Sequence, residues 1–203
     1  DLRRLLSVVP DFKPVANAEA VAPLIDNALV LPVLNGVSHD RPAGPEGLTV
    51  ATLADKLQEG ALSAEWLTAS DRFDAVGAIN AAFVSDGYWL DIAEGAELDR
   101  PIELQNIHAG GLVHGRFVVN AGVGSKATII ERQTGAGDAL ASSVTHLDVA
   151  DGAHVFWILL QEQPDDAAYL GQFTASLGRD STLTLFILNS GGKLVRQEVK
   201  VEA

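Results

Sequence analysis

A step of about 28 residues runs through the second half of this chain. Gly95, Gly124, Gly152 and Asp180 stand in similar text, with steps of 29, 28 and 28 residues between them. A fixed step of this size is the signature of a repeat architecture. Each unit carries two apolar segments. In the second unit they are residues 127–130 and 140–149, in the third 155–160 and 169–177, and in the fourth 183–188 and 194–201. Polar stretches separate them: ERQTGAGD, QEQPDDAA and NSGGK. Two strands and two turns per unit describe one coil of a solenoid, in which each strand pairs in parallel with its copy one coil on. The fold class expected is mainly β, a right-handed parallel β-helix of about 28 residues per coil.

Columns read across the units test the register. Three residues past the anchor stand Leu98, Ala127, Val155 and Leu183, and six past it Pro101, Ile130, Ile158 and Phe186. Both columns are apolar. Nine past it stand Leu104, Gln133, Gln161 and Asn189. The last three suit an amide ladder at a coil corner, or else surface amides facing water. The anchors themselves suit a corner with a left-handed backbone, which Gly takes freely and Asp tolerates. A β-sandwich or jelly roll also has short strands and regular turns, but does not require a constant offset.

Upstream the text differs. Residues 1–27 mix apolar and polar residues with Pro10, Pro14 and Pro23, which suits short helical pieces. Residues 27–33, NALVLPV, read as a short extended run, with Pro32 pointing to a sheet edge. Asn35-Gly36 is a turn signal. Residues 49–60 read as a helix with Val50, Leu53, Ala54 and Leu57 on one face and Gly60 at its end. A second helix, capped by Ser70 or Asp71, carries Phe73, Val76, Ile79, Ala82 and Phe83 at helical spacing and ends at Asp86-Gly87. The boundary is therefore set at 86: residues 1–86 form a helical or mixed N-terminal domain, and residues 87–203 the first coils of the β-helix.

The chain has 203 residues, 47% of them hydrophobic, a formal net charge of −13 and no Cys or Met. That charge, with no basic run, argues against nucleic acid and anionic membrane surfaces as partners. Without Cys there is no thiolate for metal, persulfide or cluster. No apolar run approaches the roughly 20 residues of a membrane span. The start at Asp1 reads as that of a piece of a longer chain.

Motifs for chemistry are sparse. The five histidines, His39, His108, His114, His146 and His154, lack the close pairing that a metal site wants, and each reads as a turn or surface residue. Glu131, Arg132 and Glu162 lie where strands meet loops. Paired carboxylates there would suit glycoside chemistry, but no column places two on adjacent coils, and a charge pair between Glu103 and Arg132 is the simpler reading. Trp157 reads as core. No G-x-S-x-G, phosphate loop or dinucleotide fingerprint is present.

The segment FDAVGAINAAFVSDGYWLDIAEGAELDRPIEL, residues 73–104, resembles the SufB/SufD family of SUF-system iron–sulfur assembly proteins. The matching residues are Ile79, Asn80, Ala82, Phe83, Asp86, Gly87, Gly95, Pro101 and Ile102, joined by residues 33–36 and by GGKLVRQEVKVEA at the end. The upstream hairpin and helix are more similar to SufD than to SufB. The resemblance implies a β-helix behind a helical N-terminal domain. It implies a cytoplasmic, non-enzymatic scaffold without a cofactor in this segment, pairing with a SufB-like subunit and a SufC-like ATPase. It further implies that the ATPase dock, the main contact between the two scaffold subunits and a late histidine lie beyond residue 203. No catalytic, cofactor-binding or metal-binding residue is therefore carried onto this chain. An uncovered last strand would be an association hazard, met by further coils or by a neighbouring chain such as a homodimer partner. The alternatives are a carbohydrate-active solenoid with clustered Asp residues in a groove, and a carbohydrate-binding solenoid with exposed aromatics.

Overall fold

The computed structural model describes residues 17–39, 42–60 and 74–203. Its strands are β1 (Leu29–Leu34), β2 (Val37–Ser38), β3 (Leu48–Thr52), β4 (Asp86–Ile92), β5 (Ile102–His108), β6 (Gly111–Ala121), β7 (Lys126–Gly135), β8 (Ala139–Val149), β9 (His154–Gln163), β10 (Ala168–Leu177), β11 (Thr182–Gly191) and β12 (Leu194–Glu202). Two helices, α1 (Leu53–Gln58) and α2 (Ala75–Phe83), complete the described elements.

The strands form two six-stranded sheets, and from β4 onward even and odd strands separate between them. One runs β11-β9-β7-β5-β1-β2, the other β12-β10-β8-β6-β4-β3. From β4 onward successive strands alternate between the sheets, and each coil adds one parallel strand to each. The mainly β parallel solenoid is what the repeat predicts. Lys126 pairs with His154 and His154 with Thr182, and Leu140 pairs with Ala168, all at a 28-residue offset. Only β1 with β2 and β3 with β4 are antiparallel.

The corner anchors have a backbone reason. Gly95, Gly124 and Gly152 sit at φ +68°, +65° and +67°, and Asp180 at +55°. A Cβ at any of the three glycines would meet nothing within 4 Å, so conformation alone selects glycine there. The corners also bond to one another. The N–H groups of Gly95, Gly124 and Gly152 donate to the carbonyls of Val123, Asp151 and Arg179 one coil on.

Strands alternate, so the two apolar columns face opposite ways. Ala127 and Val155 point into the lumen with Ile129, Trp157 and Leu159. Ile130, Ile158 and Phe186 lie on the outer face, and Phe186 is exposed. Across the lumen Phe117, Val119, Leu147 and Phe173 complete the core. Trp157 is fully buried and meets Phe173 edge-on, ring centres 5.1 Å apart. It is core, as its setting in the sequence suggests.

Residues 49–60 are not one helix. Their first part is β3, antiparallel to β4 with Ala51 opposite Trp89, and the helix is only α1. The β-branched Thr49, Val50 and Thr52 favour the strand. The Thr52 hydroxyl then caps α1 by accepting from the Asp55 N–H, and Gly60 follows the helix at φ +64°. α2 is capped by Asp74, whereas the expected caps Ser70 and Asp71 lie outside the described residues. Pro32 lies on an open stretch of sheet edge, as the sequence suggests: β1 pairs with β5 along its length, and β2 joins on its other side at Val33 and Leu34 only. The proline faces the part that β2 leaves open. Asn35 and Gly36, at φ +51° and +79°, make the turn between them. Strands from both sides of position 86 share the two sheets.

Candidate functional site

The lumen has two halves. Near the glycine corners the inward residues are apolar. Toward the opposite turns they are polar: Asn106 and His108 on β5, Glu131 and Gln133 on β7, Gln161 and Gln163 on β9, Ser143 and Thr145 on β8, and Tyr169 on β10, all buried. Glycines make the room. A Cβ at Gly115 would lie 2.9 Å from the Asn106 amide nitrogen, and one at Gly135 would lie 2.6 Å from the His108 ring.

Glu131 is the centre of this half. Its Oε1 accepts from Gln133 Nε2 at 2.7 Å and its Oε2 from Thr145 Oγ1 at 3.0 Å, with Ser143 Oγ at 3.5 Å from Oε1. The Trp157 indole lies close enough to favour the anion, though outside hydrogen-bond geometry. Burial outweighs these donors and pushes the carboxyl up to about 7. The neighbouring Arg132 points the other way. On the outer face it bonds Glu103 at 3.3 Å and Glu162 at 3.1 Å, and it donates to the Ala22 carbonyl. The predicted pair of Glu103 and Arg132 is therefore present, extended by Glu162. Glu131 and Glu162 lie on opposite faces of one sheet and cannot converge on a substrate.

The amide ladder exists as one rung, and it begins elsewhere. Asn106 Nδ2 donates to Gln133 Oε1 at 2.8 Å. Leu104 stacks instead on Glu131, because the strand register between β5 and β7 is 27 residues while the corner step is 29. Gln133 turns its own N–H to Glu131, since a carboxylate is the stronger acceptor. The ladder stops there, and Asn189 is exposed.

Helix α2 covers a second polar array on the outer face of the other sheet. Asp74 accepts from the Gly77 N–H and from Gln172 Nε2 at 2.9 Å. Asn80 accepts from Arg116 Nε at 3.0 Å and donates to the Gly115 carbonyl and Ser142 Oγ. Val76 packs with Leu140, Ala168 and Leu170. One short helix is thereby pinned to β6, β8 and β10. Burial holds the Arg116 guanidinium down to about 10, opposed by Asp74.

Three histidines are not at the surface. His108 pairs with Gln163 inside the lumen and accepts from the Gly110 N–H. His114 pairs with Ser142 at 2.8 Å and His146 with Thr174 at 2.6 Å on the outer face by α2. Burial lowers the pKa of both His108 and His114. Burial and the nearby Arg116 take His146 down to about 4. His39 and His154 are exposed, as expected. No group of three or more His, Asp or Glu among the described residues is placed to hold a metal ion.

One shallow groove on the outer face of the second sheet carries Asp91, Asn120, Asp148 and Ser176 in a column. Asp91 is already engaged, accepting from Trp89 Nε1 at 3.0 Å and from Asn120 Nδ2 at 2.6 Å. The sequence reading misses the α2 array. The signals were a charged residue, Arg116, inside the strand text GRFVV, and a polar Asn80 on the apolar face of a helix.

Stacked coils of two parallel strands, closed around an apolar core with a polar half, define a β-solenoid built as a rigid body rather than around an open cleft. Residues 104–203 match the family described as SUF system FeS cluster assembly, SufBD core domain. That match supports involvement of the chain in SUF-system iron–sulfur cluster assembly. No curated protein matches the chain. No helix among the described residues is long and apolar enough to cross a membrane.

Proposed function

We propose that the chain is the SufD-like, non-catalytic scaffold part of an iron–sulfur assembly complex, working in the cytoplasm with a SufB-like subunit and a SufC-like ATPase. The observation that carries this reading is the family match over the coils from β5 to β12. Several features support it. The coils are locked by corner-to-corner backbone bonds, by a packed lumen and by the α2 clamp, which suits a part that holds others in place. The β1–β2 hairpin and α1 stand before α2, which carries the Asn80-Ala81-Ala82-Phe83 segment, and this order supports the SufD-like reading. The polar side chains around Glu131 and under α2 bond one another, and the chain supplies no thiolate. The test is co-purification of the full-length gene product with its SufB and SufC counterparts under reducing conditions with nucleotide. A stable complex with stimulated ATPase activity supports the scaffold. The absence of any complex overturns it.

A further inference from the structure

Four side chains under α2 form a chain of hydrogen bonds with one direction. Arg116 Nε donates to Asn80 Oδ1 at 3.0 Å. That leaves the Asn80 amide nitrogen as donor, to the Gly115 carbonyl at 2.9 Å and to Ser142 Oγ at 3.0 Å. Ser142 Oγ in turn lies 2.8 Å from His114 Nδ1. Arginine only donates, so the first link fixes the amide, and the amide fixes the serine oxygen as an acceptor. Ser142 is 0% exposed, and its one hydrogen has a single taker among its partners, the ring nitrogen. His114 is itself buried, and Phe83 of α2 stacks on its ring with centres 5.5 Å apart. The helix thus engages this histidine twice, through the Asn80–Ser142 link and through Phe83.

We propose that His114 is a pH-sensitive lock on α2: neutral, with its proton on Nε2, it accepts from Ser142 and holds the helix down, and protonation at Nδ1 releases the helix. An imidazolium turns a new N–H toward an oxygen that already accepts from Asn80, and the serine hydrogen loses its acceptor in a buried place. It also puts a positive charge two residues from Arg116 on the same face of β6. Among the described residues, the other titratable groups on the elements packed here are His146 on β8, Asp74 at the cap of α2 and Asp86 on β4. Outward on β10 stand Gln172 and Thr174, which carry no charge. Asp74 is engaged by Gln172 and the Gly77 N–H, and Asp86 by the N–H groups of Ser38 and Ala54. Burial lowers the pKa of His114 from its ordinary 6.5, so a released ring in water takes the proton more readily. The hold is therefore complete above 6.5 and weakens as pH falls toward the folded value. One proton is taken up per opening, so opening grows by up to about tenfold per pH unit in that window. The lock does not depend on the assembly role.

Two measurements on the full-length protein test it. The first reads the His114 ring nitrogens by long-range proton–nitrogen correlation at neutral pH. The lock predicts the chemical shift of an unprotonated nitrogen at Nδ1 and of a protonated one at Nε2, and the opposite tautomer would overturn it. The second follows hydrogen-exchange protection of the α2 amides, corrected for the intrinsic rate, from about pH 7 to about pH 5, in the parent and in His114→Asn. The asparagine oxygen replaces Nδ1 as an acceptor and does not titrate. Protection of α2 should fall by roughly fivefold or more in the parent and by much less in the variant. No fall in the parent, or an equal fall in both, would overturn the lock. The ring-nitrogen readout uses the unaltered protein, so a variant that fails to fold does not block the decision.

Discussion

A carboxyl buried among amides and hydroxyls, with no cation on its side of the sheet, holds its proton to unusually high pH, and Glu131 is such a group. Its folded value of about 7 stands above the ordinary 4.5. Below the ordinary value it is protonated in both states and costs nothing. Between the two values the unfolded chain ionises first, so stability falls as pH rises, and the deficit then stays constant. The span corresponds to on the order of 3 kcal/mol. Urea unfolding of Glu131→Gln across pH 4 to 8 should show the variant gaining on the parent by about that amount, because the amide keeps the geometry without the charge. Parallel curves would show that Glu131 is not the titrating group. The corners give a second expectation at this scale. Gly152→Ala places a Cβ at φ +67° and should cost about 1–2 kcal/mol, whereas Gly152→Asp should cost less, since Asp180 holds the same conformation one coil on. Equal losses in a thermal melt would contradict the backbone explanation. These anchors were legible in the sequence because a restricted φ admits so few residue types. The surroundings of Glu131 were not, because a carboxylate's neighbours depend on strands 12 and 14 residues away across the lumen.

At the scale of elements, α2 is held less by helix propensity than by what it covers. Nine residues make an isolated helix marginal. Asp74 both caps it and takes the Gln172 amide, and Asn80 bonds Arg116, Gly115 and Ser142. Asp74→Ala should therefore cost more than the usual ~1 kcal/mol of a lost cap, because the Gln172 amide and the Arg116 charge both lose a neighbour. The check is hydrogen exchange. Amides of α2 should exchange faster in the variant while those of β7 and β9 keep their protection, and unchanged exchange in α2 would remove the clamp from the account. The helix itself was readable from its apolar spacing. The misread stretch was 49–60, where an apolar face at helical spacing outweighed three β-branched residues. Pairing with β4 decides that stretch, and β4 lies some 35 residues downstream. The ladder expected of Gln133, Gln161 and Asn189 is in register but unbonded, because Gln133 turns to Glu131 and Asn189 is exposed, while two extra residues in the first coil bring Asn106 rather than Leu104 opposite Gln133.

At the scale of the molecule, stacking ties every coil to its neighbours, so damage to the lumen should spread along the stack. Trp157→Ala removes the largest side chain of the core and should cost about 3–5 kcal/mol. Because coils stabilise one another through nearest-neighbour contacts, it should also lower the cooperativity of unfolding, seen as a smaller denaturant slope. A full-sized slope with a small loss would mean that the coils do not depend on that contact. The fold class was legible at this scale because a 28-residue step is a property of the whole text. The functional site was not, because the proposed scaffold role requires no reactive motif, and contacts with partners would leave no periodic trace in the sequence. The assembly role is tested most directly by cluster transfer to an apo-acceptor protein, using the reconstituted complex of the full-length gene product with its SufB and SufC counterparts. The account predicts that transfer falls when this subunit is left out and that the subunit alone transfers none. Undiminished transfer without it would contradict the scaffold role.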